Sequence, residues 1–85
     1  MSNYKLYTFD KQFIEETDDF PKNFTGIMGV PNGDKVWLVN GQVHRIDGPA
    51  VDCSNGTKFW YIDDKQITKE QHALLVDMMK LKGLA

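Results

Sequence analysis

Residues Asn32–Asp64 read NGDKVWLVNGQVHRIDGPAVDCSNGTKFWYIDD and contain an internal repeat. A shift of twenty-three residues places Asn32-Gly33 on Asn55-Gly56 and Trp37 on Trp60. Both copies have the form turn, aromatic-rich strand, turn. The other matched positions are Lys35 with Lys58, Val39 with Ile62, and Asn40-Gly41 with Asp63-Asp64.

The repeat predicts short antiparallel strands joined by tight turns. Asn-Gly pairs tolerate the positive φ that a tight hairpin needs, so the chain turns before and after Lys35–Val39. The second copy predicts a strand over Thr57–Ile62. Shorter strands are expected at Gln42–Arg45 and Ala50–Cys53, separated by Asp47-Gly48-Pro49, because proline removes a ladder donor. Strands of this length form an antiparallel meander.

The segment before the repeat is less regular. Tyr4–Phe9 alternates between polar and apolar residues and predicts a strand. Phe24–Val30 predicts a second strand, which its two glycines weaken. Between them, Asp10–Asp19 fits either of two structures. One is a short helix capped by Asp10. The other is an irregular acidic segment.

A helix over about residues 69–82 closes the chain. Thr68 and Gln71 match the S/T-x-x-E/Q capping box, and Gly83 is a plausible stop signal. The apolar stripe at helical spacing consists of Leu74, Leu75, Met78 and Leu81. The predicted fold is therefore α+β: a small antiparallel β-meander sheet with a C-terminal α-helix packed on one face. It is one domain, 1–85, made of an N-terminal part (1–30), a repeat-built sheet (31–67) and a helix (68–83).

Composition points to an ordinary globular chain without bulk electrostatic affinity for nucleic acid. It is 41% hydrophobic and 26% charged, with a net charge of −2. Residues 1–20 hold five acids against two lysines, so the negative charge is concentrated there. The N-terminus lacks a signal-peptide pattern, and Cys53, the single cysteine, can form no internal disulfide. We therefore expect a cytoplasmic protein.

No residue pattern indicates catalysis or a cofactor. Nucleophilic catalysis needs a cysteine or serine beside a histidine, whereas Cys53 lies on an apolar-flanked strand and resembles a small core residue. His44, Asp47 and Cys53 lack metal-ligand spacing. The neighbouring acid pairs are typical of solvated carboxylates, and no phosphate-binding glycine loop is present. We expect no enzyme activity, no metal and no cofactor.

The strongest functional indication is an excess of apolar surface. Side chains alternate across a strand, so Trp37 and Trp60 share one face while Leu38 and Tyr61 lie on the other. Both faces are apolar, and one helix covers only one of them. Either the N-terminal segment or another molecule must cover the second, and a large uncovered patch marks an interface.

Two surfaces are candidates for that interface. The first, here called the tryptophan surface, combines aromatic and basic side chains and would suit a protein or single-stranded RNA. The second, here called the acidic edge, would suit a basic protein if the tryptophans are buried. The tryptophan surface comprises Lys35, Trp37, Arg45, Lys58, Trp60, Tyr61 and Lys65, and the acidic edge comprises Glu15, Glu16, Asp18 and Asp19.

One stretch also resembles a known family. From Trp37 to Ala50 the chain is similar to the W-x-x-N-G-x-x-H-R-x-D-G-P-A repeat proteins of tailed-phage and large-virus genomes. The likeness covers roughly residues 31–80, with one full unit, a partial second unit and a terminal helix. It implies a phage origin and a structural or binding module rather than an activity. Within the motif, HRIDGPA from His44 to Ala50 is expected to form a structural corner.

These observations favour a non-enzymatic phage protein that binds and inhibits a host protein in the cytoplasm of an infected bacterium. An endoribonuclease toxin of a toxin–antitoxin system, with RNA as a candidate member of the complex, is the expected target. The first alternative is direct binding of single-stranded RNA or a nucleotide ligand. The second is a viral structural accessory protein that self-associates into a homo-oligomer. No membrane partner is expected.

Overall fold

The computed structural model describes residues 3–83 and shows an antiparallel sheet with one C-terminal helix. The helix, α1, spans Lys69–Leu81. The strands of the described part are β1 (Tyr4–Tyr7), β2 (Phe13–Thr17), β3 (Gly26–Gly29), β4 (Lys35–Val39), β5 (Gln42–Val43), β6 (Val51–Asp52), β7 (Lys58–Ile62) and β8 (Lys65–Ile67). The α+β prediction is confirmed.

The sheet is open and follows the order β2-β1-β3-β4-β6-β7-β8, with β5 paired to β4. All the pairings are antiparallel. The first half of β4 pairs with β6 and its second half pairs with β5 on the same side. The acid-rich strand β2 therefore forms one edge of the sheet, and β8 forms the other.

The internal repeat is a repeat of strand pairing and begins earlier than the sequence indicates. Met28 pairs with Val36 in the first unit, and Val51 pairs with Phe59 in the second, twenty-three residues further on. The unit β3-β4-β5 thus recurs as β6-β7-β8 in the same register. β3 and β6 differ in sequence although they pair in the same register, so the repeat of this first strand is not evident from the sequence.

The turns of the two units also match. The N–H of Gly33 donates to the carbonyl of Val30, as that of Gly56 does to Cys53, both at 2.9 Å. In each unit a two-residue turn with positive φ at both positions joins the second strand to the third, Asn40-Gly41 in the first unit and Asp63-Asp64 in the second. This is the backbone of a type I′ hairpin, so the predicted turns are correctly placed.

Each of these two-residue turns is hydrogen-bonded to the backbone of an earlier part of the chain. The N–H of Gly41 donates to the carbonyl of Phe24 (2.9 Å), and the N–H of Asp64 donates to that of Val43 (2.8 Å). Oδ1 of Asp64 also accepts the N–H of Val43 at 3.0 Å, a bond that glycine could not make. This bond gives Asp64 of the second copy a structural role that Gly41 of the first copy lacks.

The apolar core lies on the face of the sheet opposite the tryptophans. Leu6, Met28 and Leu38 are buried together, and Leu38 is completely inaccessible. Phe24 and Tyr4 pack against them from the N-terminal part of the chain. The N-terminal segment, rather than another molecule, therefore covers this face of the sheet.

The helix is capped as predicted but presents a different face to the sheet. Oγ1 of Thr68 accepts the N–H of Gln71 at 3.0 Å, and Oε1 of Gln71 accepts the N–H of Thr68 at 3.0 Å. The buried helix residues are His72 and Val76. Three members of the predicted stripe, Leu74, Met78 and Leu81, are exposed. Since Thr68 alone separates β8 from α1, this linker sets the rotation of the helix.

Two strands were not expected. Phe13–Thr17 forms β2, so neither the short helix nor the irregular segment proposed for Asp10–Asp19 describes these five residues. It pairs with β1, with a register irregularity beside Leu6 and Tyr7, and the ring of Phe13 stacks edge-on against Tyr7. β8 forms because the type I′ turn returns the chain directly along β7.

Candidate functional site

Within the tryptophan surface, Trp37 is largely covered by another side chain of the same protein. The guanidinium of Arg45 lies over the indole ring, with Cζ 4.0 Å from the ring centroid, and Trp37 is only 9% exposed. A cation over an indole face is a favourable contact. The ring face that would stack on a nucleic-acid base is therefore already occupied.

Arg45 is held in place by the HRIDGPA corner. Its Nε donates to Oδ1 of Asp47 (2.8 Å) and its Nη1 donates to the carbonyl of Pro49 (3.1 Å). A Cβ at Gly48 would lie 2.9 Å from Cζ of Arg45, so a side chain at this position would displace the guanidinium. The nearby Arg45 lowers the pKa of the Asp47 carboxyl, mainly through this hydrogen bond. Arg45, Asp47, Gly48 and Pro49 of the motif thus have structural roles in this chain.

His44 belongs to the same structural network. Its Nδ1 accepts the N–H of Asp63 at 3.1 Å, so that nitrogen carries a lone pair. Oδ1 of Asp63 lies 3.3 Å from the same nitrogen, but an ion pair there would require Nδ1 to be protonated. In both turns a side chain thus accepts the N–H of the first turn residue: His44 accepts that of Asp63, and Oγ1 of Thr25 accepts that of Asn40 at 3.0 Å.

Trp60 lies under the start of the helix. The ammonium of Lys69 lies 5.9 Å from the ring centroid of Trp60. Nearby, Nε2 of the buried His72 donates to the carbonyl of Arg45 at 2.6 Å. This hydrogen bond joins α1 to the corner, so the helix, the corner and both tryptophans form one packed unit.

The remaining residues of the tryptophan surface are divided between two faces. Lys35 and Lys58 flank Asp52 across the strand ladder, and Nζ of Lys58 contacts Oδ1 of Asp52 at 3.0 Å. Lys65 pairs with Ile62 and is exposed. Tyr61 follows Trp60 in the strand and therefore lies on the opposite face. The structure does not bring all seven predicted residues into one continuous stacking surface.

The acidic edge, by contrast, lies open along β2. Glu15, Glu16, Asp18 and Asp19 are all exposed. Glu16 pairs with Lys5 and accepts a hydrogen bond from Nδ2 of Asn3 at 3.1 Å. Glu15 pairs with the apolar Leu6, so its strand partner offers no countercharge. Glu15 and Glu16 thus lie on the strand itself, and Asp18 and Asp19 lie in the bend that follows it.

Large apolar side chains are exposed beside these acids. Phe9, Phe13, Ile14 and Phe20 are each about half exposed, and Phe13 reaches 57%. Phe13 and Phe20 rest edge-on against Tyr7 and Tyr4 of β1. The sequence pattern predicts the acids as an interface but not these apolar residues. The feature that could have indicated them is the number of phenylalanines in a segment with no predicted core position.

A shallow groove joins this region to the corner. It has a volume of about 430 Å³, and its lining includes Phe9, Lys11, Val39 and Ile46. Its floor is Trp37 and its cationic wall is Arg45, whose guanidinium already contacts Asp47 and Pro49. The groove is therefore the open end of the corner and contains one further cation, Lys11.

Cys53 and Asp34 lie at the other end of the repeat, and their arrangement is structural. The backbone N–H of Ser54 donates to Oδ1 of Asp34 at 2.7 Å, which joins the two Asn-Gly turns and lowers the pKa of Asp34. Partial burial, followed by the charge of Asp34, raises the pKa of the Cys53 thiol above 9.0. A protonated thiol is a poor nucleophile.

The fold and its exposed groups define a small repeat-built α+β protein with a charged edge strand. Comparison of the chain with models of protein families, with curated proteins and with solved structures gave no match. Among residues 3–83, no group of three or more histidine, cysteine or acidic side chains is placed to hold a metal ion. Within the same range, no helix has the length and apolar character needed to cross a membrane.

Proposed function

We propose that this chain is a non-enzymatic binding protein that inhibits a host protein during phage infection. The interface is the acidic edge with its flanking phenylalanines. The target is an endoribonuclease toxin of a toxin–antitoxin system, and RNA held by that toxin is a candidate third member of the complex. The phage origin rests on the resemblance of residues 37–50 to the viral repeat family.

The observation that carries this proposal is the distribution of covered and uncovered surface. Trp37 is 9% exposed beneath Arg45, whereas Phe13 on the edge strand is 57% exposed. Interfaces need accessible apolar anchors surrounded by complementary charge. The acidic edge supplies both, whereas the tryptophan surface offers the exposed Lys35 and Lys65 but keeps Trp37 covered by Arg45.

The charge of the edge supports an RNA-cleaving target. A nuclease binds the phosphate backbone of RNA with lysine and arginine side chains, so its substrate-binding surface is basic. The exposed carboxylates on and beside β2 compete with phosphates for such a surface. Their negative charge would attract the basic target over a distance, and the bound chain would exclude the RNA substrate.

Direct RNA binding through the tryptophan surface is the second candidate function. Lys35 and Lys65 are exposed, which favours it. The ring of Trp37 is occupied by Arg45 and the charge of Lys58 is partly neutralised by Asp52, which disfavours it. Self-association remains a third candidate, for which the exposed helix residues Leu74, Met78 and Leu81 provide the surface.

The test is co-purification of the tagged chain with purified endoribonuclease toxins, before and after treatment with an unrelated ribonuclease. We expect a stable complex and loss of toxin cleavage activity. A complex that survives the treatment places the contact between proteins. Failure to bind or inhibit any tested toxin, combined with a shift of labelled single-stranded RNA at low salt, would replace this proposal with the RNA-binding alternative.

A further inference from the structure

The outer side of β2 is an unpaired strand edge. β2 pairs with β1 alone among the strands of residues 3–83. No backbone hydrogen bond outside the sheet involves residues 13–17 in that part of the chain. An edge strand presents a row of free N–H and C=O groups that another strand can pair with.

The register shows which backbone groups face outward. The N–H of Thr8 donates to the carbonyl of Gln12 at 2.9 Å, so Thr8 directs its backbone towards the returning chain. In an antiparallel ladder the backbone N–H and C=O groups of alternate residues point to the same side, so those of Leu6 also point towards β2. Glu15 is paired with Leu6, so its backbone groups point towards β1. The backbone N–H and C=O of Glu16 therefore point away from the sheet.

A second copy of the chain is a poor occupant of this edge. If two β2 strands paired antiparallel along their whole length, Glu15 of one copy would lie opposite Glu15 of the other. Like charges directly opposite each other destabilise a strand pair. Glu15 has no countercharge on β1, since its partner is Leu6. The edge is thus protected against self-pairing, and the same charges select a basic strand.

We propose that β2 receives an extended basic segment of the partner protein by strand addition. The incoming strand carries adjacent lysine or arginine residues opposite Glu15 and Glu16 and an aliphatic residue beside the exposed Phe13. Main-chain hydrogen bonds supply affinity, and the alternating side chains supply specificity. This inference rests on the proposed function and names the chemistry of its partner segment.

The flanking residues extend the same preference. Asp18 and Asp19 follow the strand and are exposed, so a basic segment longer than β2 meets further carboxylates. Glu16 lies opposite Lys5 in the strand ladder, whereas Glu15 lies opposite the uncharged Leu6. Glu15 is therefore the acid whose replacement should most weaken recognition by charge, and Glu16 is the residue whose backbone matters most.

The test uses the whole protein and a short synthetic peptide in which a Lys-Lys pair is flanked by valine and threonine residues. One control peptide has Glu-Glu in place of Lys-Lys, and another has proline at alternate positions. Amide resonances of the protein are followed by NMR during titration, and hydrogen exchange of β2 amides is measured. We expect shifts confined to β1, β2 and their connection, with slowed exchange of the Glu16 amide.

Two variants separate backbone pairing from charge attraction. Glu16→Pro removes the outward N–H without removing a β1–β2 ladder bond, as edge-strand proline allows, and should weaken binding by about tenfold or more. Glu16→Gln keeps the N–H and should weaken binding less. The β2 amide shifts of the unliganded Glu16→Pro protein show whether the strand is retained.

Three results would overturn strand addition: shifts located elsewhere, no binding of the Lys-Lys peptide, or equal binding of the proline-containing peptide. Each is distinguishable from failure of the proposed function. If toxins bind and are inhibited while the peptide does not bind, the function stands and the mode of contact is wrong. If the peptide binds at β2 while no toxin does, the edge is a docking site for a different basic protein.

Discussion

The guanidinium of Arg45 lies 4.0 Å from the centroid of the Trp37 ring and closes it from solvent. An aromatic and a basic residue that in sequence resemble an RNA-binding site thus contact each other and stabilise the fold. Aromatic and basic residues alternate in both kinds of site, so the pattern in the sequence does not separate them. What separates them is that Asp47 and Pro49 already bind the same guanidinium.

We therefore predict that Arg45→Ala destabilises the domain. The variant loses the contact with Trp37 and the hydrogen bond to the Pro49 carbonyl, so the free energy of unfolding should fall by about 1–3 kcal/mol in urea denaturation. Lys65→Ala, on an exposed strand position, is the matched control and should change stability by less than about 0.5 kcal/mol. Equal stability of the two variants would show that Arg45 is free to bind a ligand.

A second prediction concerns acid stability. The pKa of Asp34 lies below its ordinary value of 3.8 because the N–H of Ser54 donates to its carboxylate. A lowered folded-state pKa means that the unfolded chain binds the proton more readily. The stabilisation is thus complete above pH 3.8 and is lost as the pH falls through the lower folded-state pKa. The Arg45–Asp47 contact acts in the same direction.

Replacing Asp34 should reveal this contribution. Asp34→Asn removes one titrating group, so stability should fall less steeply between about pH 4 and pH 2 than in the unmodified chain. Urea unfolding followed by tryptophan fluorescence at several pH values measures the slope. An unchanged slope would mean that the bond between the two turns does not persist in solution.

The capping box gives a prediction for the helix. Thr68→Ala removes the side-chain acceptor of the Gln71 N–H and should lower stability by about 1 kcal/mol. Thr68→Ser keeps the hydroxyl and should retain most of that stability. Thermal unfolding monitored by circular dichroism compares the two, and similar losses for both would indicate that the threonine methyl group, rather than the cap, is important.

The rotation of the helix can be tested with two apolar truncations. Val76→Ala should cost about 1–2 kcal/mol because the side chain is buried against the sheet. Leu81→Ala removes a larger side chain that is 88% exposed, and should cost less than about 0.5 kcal/mol. Denaturant unfolding measures both. The reverse order would support the stripe that hydrophobic spacing alone predicts.

This last case shows what periodicity could not provide. The helix and its cap follow from local hydrogen bonding, which depends on neighbouring residues such as Thr68 and Gln71. The buried face depends instead on the one-residue connection to β8 and on His72, whose hydrogen bond to Arg45 crosses twenty-seven positions of sequence. Hydrophobic spacing carries no information about such a long-range bond, so a polar residue occupies the centre of the contact.

The sheet shows the same division between local and distant causes. The type I′ turns at Asn40-Gly41 and Asp63-Asp64 could be predicted because positive φ requires particular residues. β2 could not, since FIEET has no strong strand pattern and forms a strand only where β1 offers an unpaired edge. The acidic edge was thus predicted from charge alone, and its strand geometry, with the exposed Phe13, came from tertiary pairing.

The position of the partner-binding surface is the central claim, and one binding measurement tests it. An inhibited endoribonuclease toxin is titrated with two variants of matched size: Glu15→Lys with Asp18→Lys on the acidic edge, and Lys35→Glu with Lys65→Glu on the tryptophan surface. Isothermal titration calorimetry at moderate salt compares each with the unmodified chain. Circular dichroism confirms that both variants are folded.

We predict that the acidic-edge variant loses at least about a hundredfold in affinity, equivalent to about 2.7 kcal/mol. The tryptophan-surface variant should bind within about threefold of the unmodified chain, or more tightly, because it gains negative charge. The opposite result, full affinity for the acidic-edge variant and loss of binding for the tryptophan-surface variant, would contradict the assignment of the interface to β2.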